Sequence, residues 1–289
     1  MAHEPAVDKR LVRRAFEKAA AGYDAAAVLQ HEVCQRMLAR LDYVKLAPAA
    51  VLDAGCGTGN VTAALRVRYP RAVLYELDIA LGMVRQACAR VSWLDRVRGR
   101  GVVPVCGDIE KLPLRAGVAN MVWSNLALQW VREPPRAFAE LRRVLAPGGL
   151  LMFSTFGPDT LKELRAAYQG TDRYNHVNQF VDMHDVGDML VHAGFADPVM
   201  DMEYITLTYN DVKAVMQDLR SIGAHNATAG RATGMMGKKA WGRVLENYER
   251  FRRDGKLPAT FEVIYGHAWK AQPKKISDGR AIIKTPFKL

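Results

Sequence analysis

The segment at residues 51–59 combines residue types that can bind a small charged ligand. It reads VLDAGCGTG, in which an apolar run leads through Asp53 to Gly55, Gly57 and Gly59. Glycine lets the backbone turn sharply and approach a ligand closely. A helix predicted to begin next points its N-terminus at this turn, and the partial positive charge there favours the carboxylate end of an amino acid. Asp53 can attract an ammonium group, directly or through water.

Three kinds of cofactor compete for a turn of this type. A P-loop requires a lysine followed by Ser or Thr after its last glycine, and the sequence has none there. The dinucleotide fingerprint is GxGxxG, whereas the third glycine in this chain comes one residue early and Asn60 follows it. A GxGxG turn after a strand, with an acidic residue before it, resembles motif I of the class I methyltransferases and favours S-adenosylmethionine.

Two further acidic residues follow the next two predicted strands. Asp78 ends the second strand, where a carboxylate can accept both ribose hydroxyls of a nucleoside. Asp108 follows the third strand, where it can accept a hydrogen bond from an adenine amine, and Ile109 can pack on the ring. Glu76 is expected to point to the opposite face. Each acid alone could be a loop carboxylate or a helix cap, but their joint position at three strand ends predicts a nucleoside site.

The elements that must position these residues alternate between strands and helices. The strands predicted in the first part of the chain are at 50–54, 72–78, 102–106, 119–125 and 150–156. The helices between them are predicted at 60–69, 80–91 and 134–145, the last followed by a turn at 147–149. Residues 8–41 are predicted to be helical. Beyond residue 156 we predict helices at 159–169, 183–193, 210–222 and 237–253, and strands at 198–208 and 260–269.

This alternation predicts an α/β fold with a doubly wound, mostly parallel sheet. We expect the seven-stranded, Rossmann-like fold of the class I methyltransferases, with N-terminal helices and a helical insertion between the last two strands. A single domain is expected over residues 1–270, with an N-terminal helical segment at 8–45 and the insertion at about 209–257. Residues 271–289 form a basic tail.

Composition narrows the class of protein. With 289 residues, 49% hydrophobic and 25% charged, the chain is typical of globular proteins. No apolar run approaches the roughly 18 residues of a membrane span, and the first residues lack the apolar core of a secretory signal, so a cytoplasmic location is expected. The four cysteines form no CxxC pair and have no histidine at ligand spacing, so no metal site is predicted.

Several longer segments make the resemblance closer than the class. The segments that carry it are FEKAAAGYDAAAVLQ (16–30), LDIALGM (77–83), GDIEKLPL (107–114), WSNLALQW (123–130), STFGPDTLKELRAAY (154–168), HVNQF (176–180), DLRSIGAHN (218–226) and LPATFEVIYGHAWK (257–270). They are similar to the BioC family, the malonyl-acyl-carrier-protein O-methyltransferases of the biotin pathway. Many relatives have His or Thr in place of Asn226, which concerns acceptor binding rather than the cofactor pattern.

This resemblance implies S-adenosylmethionine as cofactor and assigns residues to it. The residues implied around the cofactor are Asp53, Gly55, Gly57, Gly59, Asp78 and Asp108, with Ser124, Asn125 and Leu126 on its methionine side. Tyr23 is implied near the cofactor or the reaction centre. As alternatives, Tyr23 could be the packed end of an amphipathic helix, and Ser124 and Asn125 could cap the following helix.

The family implies transfer of the sulfonium methyl group to the free carboxylate of a malonyl thioester, which then primes pimeloyl synthesis. A carboxylate is already deprotonated at neutral pH, so no general base is required. An arginine fork would position the carboxylate. Arg165 and Arg220 are the candidates for this clamp, and each could equally be a surface arginine.

The net charge of +11 predicts attraction to an acidic partner. The resemblance implies an acidic acyl carrier protein that carries malonyl, with malonyl-CoA as the alternative thioester. The cations of the predicted insertion that could receive the carrier are Lys238, Lys239, Arg243, Arg250, Arg252, Arg253 and Lys256. They could equally form a solvated helix face. We predict no membrane partner.

Other functions remain open. The run STFGPDTLKELR also resembles a mitochondrial complex I assembly factor, an S-adenosylmethionine-binding protein that hydroxylates a protein arginine. A small-molecule or quinone methyltransferase, an RNA-binding or RNA-methylating protein, and a regulator that senses the cofactor without turnover are the further alternatives. The sequence has no Arg-rich run or stacking-aromatic motif of the RNA-binding type, so no nucleic-acid partner is predicted.

Overall fold

The structure is a computed structural model that describes residues 7–91, 102–172, 174–223 and 236–272. Asn226 and all but the first two residues of the predicted basic tail therefore lie outside the described residues. Among the residues that are described, no helix combines the length and the apolar character that a membrane span requires.

Seven strands form one sheet, as predicted. They are β1 (Ala50–Ala54), β2 (Val73–Asp78), β3 (Val102–Cys106), β4 (Ala119–Ser124), β5 (Leu145–Phe156), β6 (Ala196–Tyr209) and β7 (Leu257–Trp269). The strand order is β3-β2-β1-β4-β5-β7-β6. The pairs from β3 to β5 are parallel, and β7 runs antiparallel to both β5 and β6. The prediction of a mostly parallel sheet is confirmed.

The described helices lie before, between and after the strands, mostly where the pattern predicts them. They are α1 (Lys9–Ala19), α2 (Tyr23–Ala26), α3 (Val28–Arg40), α4 (Thr62–Arg68), α5 (Leu81–Ala89), α6 (Pro134–Val144), α7 (Lys162–Tyr168), α8 (Met183–His192), α9 (Val212–Ser221) and α10 (Lys238–Glu249). Short 3₁₀ turns cover Leu41–Tyr43 and Leu128–Trp130. The helices α9 and α10 belong to the predicted insertion between β6 and β7. The domain boundary at residue 270 stays a prediction.

The spacing of apolar residues predicts helix over residues 8–41, but the structure divides this segment into three helices. Asp8 begins α1 by accepting hydrogen bonds from the backbone N–H groups of Arg10 and Leu11, which is the usual role of an N-cap aspartate. Gly22 interrupts the helix before α2, and Ala27, with ψ of 40°, interrupts it again before α3. The breaks let the segments pack in different places: Phe16 and Ala20 lie against Met83 of α5, whereas Val33 and Met37 of α3 join the cluster on the sheet.

The start of the fifth strand also differs from the prediction. The expected turn at 147–149 lies inside β5, where the pairing with β4 shifts from Ala119 opposite Leu145 to Met121 opposite Leu150. The additional residues form a bulge, which Gly148 permits with its positive φ of 76°. Pro and Gly therefore distort a strand at this position instead of ending an element.

Both faces of the sheet are covered by apolar side chains. On one face, Trp123 of β4 and Met37 of α3 are completely buried in the same cluster. On the other, Phe153 of β5 and Leu141 of α6 are completely buried in a second cluster. Burying a large apolar side chain contributes about 1.5–3 kcal/mol, so these two layers fix the sheet whose strand ends carry the acidic residues.

The packing of Gly266 in β7 gives the first prediction. A Cβ at this position would overlap the ring of Phe153, its register partner in β5, and press on Met200. We expect Gly266→Ala to lower the free energy of unfolding by about 1–3 kcal/mol through overpacking. Gly242→Ala is the matched control, because Gly242 lies in α10 with nothing near an added Cβ, and there alanine should add up to about 1 kcal/mol. Urea unfolding of both variants tests this, and equal effects would contradict the packing.

Candidate active site

The turn after β1 is fastened to the end of β2. The backbone N–H groups of Gly55 and Cys56 both donate to the carbonyl oxygen of Leu77, at 2.8 and 2.9 Å. Gly55, Gly57 and Gly59 have φ values of 89°, 54° and 76°, which other residues rarely adopt. The glycines therefore allow a turn tight enough to lie beside the neighbouring strand end.

The three glycines do not have the same role. Gly55 and Gly57 line cavities, and a Cβ at Gly57 would only reach Tyr23, at 4.0 Å. A Cβ at Gly59 would lie 2.9 Å from the backbone of Ala87 in α5. Gly59 therefore allows α5 to pack closely against the turn. The sequence predicts that Gly59 contacts the ligand, but Gly59 does not line the cavities that Gly55 and Gly57 line.

Three adjoining cavities open around this turn, and Tyr23 lines all of them. The strand-end cavity is bounded by Gly57, Asp78, Ile79, Asp108, Ile109, Asn125, Leu126 and Trp130, with Lys9 at its wall. The glycine-turn cavity is bounded by Gln30, His31, Asp53, Gly57, Thr58, Asn60 and Asn125. The apolar channel is bounded by Phe16, Leu29, Gln30, Leu126, Gln129, Trp130, Thr160, Asn178, Phe180 and Leu219.

Asp78 lies at the bottom of the strand-end cavity with both carboxylate oxygens held in place. One oxygen accepts a hydrogen bond from the backbone N–H of Gly57 at 3.0 Å, and the other accepts from that of Ala80 at 2.8 Å. Burial raises the pKa of Asp78 to about 6, although these backbone donors pull it down. The side chain is thus a preoriented acceptor that gains from a ligand able to donate hydrogen bonds to it.

The expectation for Glu76 is wrong. Positions two apart on a strand share a face, so Glu76 lies on the same side as Asp78 and directly opposite Asp53 in the register. Burial raises the pKa of Asp53 well above its usual range, and the charges of Glu76 and Asp78 raise it further. Burial also raises the pKa of Glu76, which accepts a hydrogen bond from the Thr62 hydroxyl. The turn therefore encloses three neighbouring carboxyl groups.

Asp108 and Ile109 line the strand-end cavity as the sequence predicts, but Asp108 has a partner that the sequence does not indicate. Its carboxylate accepts from the Lys9 ammonium group at 2.6 Å, and Lys9 also pairs with Glu110. Glu110 is buried and accepts from the backbone N–H of Glu133 at 2.6 Å. No local pattern links residues that are about a hundred positions apart, so Lys9 could not be found from spacing.

Ser124 and Asn125 have different environments. Ser124 is fully buried and donates to the carbonyl oxygen of Ala54 at 2.7 Å, so it joins β4 to β1 and lines none of the three cavities. Asn125 lines both cavities beside the glycine turn. Its amide nitrogen donates to the carbonyl oxygen of Gln30 at 3.1 Å, and its amide oxygen accepts from the Ser154 hydroxyl at 2.9 Å. Neither side chain caps a helix.

Tyr23 lies where the three cavities meet. Burial raises the pKa of its phenol, and the nearby charges of Asp78 and Asp24 raise it further, so the hydroxyl stays protonated and can donate a hydrogen bond at neutral pH. Its ring lies 6.4 Å from that of Phe16, which in turn contacts Trp130 edge-on at 5.5 Å. Aromatic side chains thus separate the strand-end cavity from the apolar channel, and Phe16 and Trp130 are wall residues that sequence reasoning does not single out.

The structure does not bring the two candidate arginines into these cavities. The guanidinium group of Arg165 donates to the carbonyl oxygens of Pro158 at 2.7 Å and Thr160 at 3.2 Å, which fixes the turn before α7. Arg220 is exposed at the end of α9, and it is the preceding residue, Leu219, that faces the channel. A guanidinium already used to bind carbonyl groups is a poor carboxylate fork.

Known proteins with this architecture identify the class. The family described as "Methyltransferase domain" matches residues 52–153. The YcgJ protein from Bacillus subtilis superposes with a TM-score of 0.57 at 13% identity, covering 82% of this chain and 99% of that one. The [4+2]-cyclase SpnF superposes with a TM-score of 0.51 at 22% identity, covering 84% and 82%. The sheet order, the glycine turn and the acidic strand ends define a class I methyltransferase fold.

Curated relatives identify the family. Three proteins named malonyl-[acyl-carrier protein] O-methyltransferase are 61% identical in Gallionella capsiferriformans, 59% in Nitrosospira multiformis and 58% in Laribacter hongkongensis. The first match covers 99% of both chains, the second 93% of this chain and 91% of the relative, and the third 96% and 95%. The chain belongs to the malonyl-[acyl-carrier protein] O-methyltransferase family, and the predicted resemblance is confirmed.

The carboxyl groups at the turn give a prediction about stability and pH. A pKa of about 6 for folded Asp78, against an ordinary value of 3.8, means that the folded chain binds more protons than the unfolded chain between these pH values. The contribution of Asp78 to the free energy of unfolding therefore falls as pH rises from its ordinary pKa to its pKa in the folded chain, by up to about 1.4 kcal/mol per pH unit. Asp78→Asn should gain stability relative to the wild type as pH rises from 4 to 7.

Urea unfolding of the ligand-free proteins at intervals across this range measures the difference. Asp254→Asn is the control, because it removes an exposed carboxylate from the turn before β7. A constant difference between Asp78→Asn and the wild type at every pH would contradict the raised pKa.

Proposed function

We propose that this protein transfers a methyl group from S-adenosylmethionine to the free carboxylate of a malonyl thioester on acyl carrier protein, giving the malonyl methyl ester that primes pimeloyl synthesis for biotin. The observation that carries the proposal is the 61% identity to a protein named for this activity over 99% of both chains. The strand-end cavity beside the glycine turn supports it, because ligands of such sheets bind beyond the carboxyl ends of the strands.

The residues at this cavity fit the cofactor. We propose that Asp78 accepts hydrogen bonds from the ribose hydroxyls, that Asp108 accepts one from the adenine amine, and that Ile109 packs on the ring. Gly55, Gly57 and Asp53 face the amino acid end, together with Asn125 and Leu126. Asp53, Glu76 and Asp78 together make this region favourable for a ligand that carries positive charge.

When bound, S-adenosylmethionine supplies an electrophilic methyl group on a sulfonium centre. The tasks left to the protein are to orient the acceptor, to remove water from it, and to hold both reactants in line. A carboxylate needs no general base at neutral pH. Tyr23, Phe16 and Trp130 lie between the strand-end cavity and the apolar channel. We propose that the malonyl group enters through this channel and that Tyr23 helps to orient it.

The proposed protein partner is the acidic acyl carrier. Lys238, Lys239 and Arg243 are exposed on α10, and Arg250 and Arg253 follow it on the surface. The remaining two of the seven candidate cations are engaged: Arg252 donates to Glu249 at 2.7 Å, and Lys256 donates to Asn210. We propose that the exposed cations steer the carrier by charge. We place this reaction in the cytoplasm, as the sequence predicts.

The reaction itself is the decisive test. The protein is mixed with methyl-labelled S-adenosylmethionine and with malonyl carrier, malonyl-CoA or no acceptor. We expect a base-labile methyl ester on the malonyl group, formed with the carrier and absent without an acceptor.

Each other outcome points to a different function. Turnover of small molecules without any thioester would favour a small-molecule methyltransferase. Cofactor binding with no methyl transfer would favour the regulator or the arginine hydroxylase, and a hydroxylated arginine in a protein substrate would identify the latter.

Charge reversal on α10 tests the carrier surface. We expect Lys239→Glu with Arg243→Glu to lower kcat/KM for the malonyl carrier by about tenfold at low salt, with the loss shrinking as salt screens the charges. Malonyl-pantetheine, which has no carrier protein, should react equally well with variant and wild type. Lys45→Glu, on the exposed segment before β1, is the matched control. An equal loss with both substrates would rule out carrier steering.

A further inference from the structure

One end of the apolar channel lies next to positive charge. On each of three elements there, a residue of the channel wall has a chain neighbour that does not line the channel. The wall residues are Leu161, Asn178 and Leu219. Their neighbours outside the channel are Lys162 of α7, Val177 of the segment before α8, and Arg220 of α9. Two of these three neighbours are cations, so a ligand that leaves the channel at this end meets them.

A polar cavity, which we call the outer cleft, adjoins this end of the channel. Residues that bound it include Lys162, Arg165, Tyr168, Asp172, His176 and Val177. The ring of His176 stacks on that of Tyr168 at 3.8 Å between centroids, and its Nε2 lies 2.9 Å from both carboxylate oxygens of Asp172. These contacts give the cleft a fixed wall, and its two permanent cations outnumber its carboxylate.

The cations are placed to meet an anion that enters the cleft. The ammonium group of Lys162 lies 3.6 Å from the carboxylate of Asp159, and both side chains are about half exposed. Exposed pairs of this kind contribute little, so Lys162 can turn to a stronger partner. Arg165 is bound to the backbone carbonyls of the turn before α7. It thereby fixes the turn from which Leu161 faces the channel and Lys162 faces the cleft.

Arg220 lies close to the same cleft. Burial and the charge of Asp172 raise the pKa of the Tyr168 phenol, whereas the charge of Arg220 lowers it. Arg220 therefore acts on a residue of the cleft wall although its own side chain is exposed. Lys162 and Arg220 thus approach the mouth of the channel from two different helices.

The proposed substrate has an anionic group that fits this position. An acyl group on a carrier is joined through its thioester to a pantetheine arm, and the far end of that arm is a phosphate ester. With the malonyl group beside Tyr23, the arm would occupy the apolar channel and the phosphate would emerge at its outer end. Lys and Arg side chains are the usual partners of a phosphate.

We propose that Lys162 and Arg220 form a subsite for the phosphate ester of the pantetheine arm, and that Arg165 positions Lys162 by fixing the turn before α7. The inference rests on the proposed function, because it assumes a malonyl thioester in the channel. Malonyl carrier and malonyl-CoA both contain this phosphate, so the subsite serves either thioester. The exposed cations of α10 are different, because they meet only the protein surface of the carrier.

Two small thioesters that differ by the phosphate test this subsite. The kcat/KM values for malonyl-phosphopantetheine and malonyl-pantetheine are measured at low salt. We expect the wild type to prefer the phosphorylated thioester by about tenfold, since two exposed charge contacts are at stake. Lys162→Gln with Arg220→Gln should abolish this preference and leave kcat/KM for malonyl-pantetheine within twofold. Lys162→Arg should keep most of it, and added salt should weaken it in the wild type.

Lys45→Gln with Lys213→Gln is the matched control, because it removes two exposed lysines elsewhere, one of them on α9. With malonyl carrier and malonyl-CoA, the Lys162 and Arg220 variant should lose activity toward both, whereas the α10 variant should lose it toward the carrier alone.

The subsite is ruled out if the double variant keeps the preference for the phosphorylated thioester, or if it loses activity equally toward both small thioesters. A wild type that methylates both small thioesters equally well also rules it out, while the proposed function stands. A wild type that methylates no malonyl thioester contradicts the proposed function itself, and this inference with it.

Discussion

The site depends on the attachment of the glycine turn to the end of β2. Two backbone N–H groups of the turn bind the carbonyl oxygen of Leu77, and a third, from Gly57, binds the carboxylate of Asp78. These bonds require positive φ at the glycines, because other residues adopt that conformation at a cost. The backbone N–H of Gly57 is also one of the donors that the buried carboxylate of Asp78 needs. One short segment therefore sets both the shape of the cavity and the position of its acidic group.

Much of this arrangement could be predicted because its signals are local. A buried strand that runs into alternating glycines, followed by a second strand that ends in Asp78, is visible in the sequence, and parallel strands bring such ends together. Glu76 could also have been placed by strand alternation, since it lies two residues before Asp78. The bulge in β5 and the breaks in the N-terminal helix are less accessible, because Pro and Gly can end an element or only distort it.

The walls of the cavities could not be predicted from the sequence, because they are formed by contacts between distant residues. Lys9 reaches Asp108, and Gln30 accepts from Asn125. The N-terminal helices are held across the sheet by contacts with the last strands: Arg36 pairs with Glu203 at 2.5 Å. Exposed ion pairs contribute about 0–1 kcal/mol each, so the apolar packing of α3 provides most of this attachment and the charges mainly fix its orientation.

The two halves of the site differ in electrostatic character, and this difference follows from how each is built. Around the turn, burial raises the pKa values of Asp53, Glu76 and Asp78, and the charges of Glu76 and Asp78 raise that of Asp53 further. A ligand with positive charge and hydroxyl donors relieves that cost by stabilising their ionised forms. The described residues that line the apolar channel are uncharged, and the aromatic rings of Phe16, Tyr23 and Trp130 separate it from the acidic turn. The fold therefore gathers the acidic groups at one end of the site and leaves the other end, beyond Tyr23, uncharged.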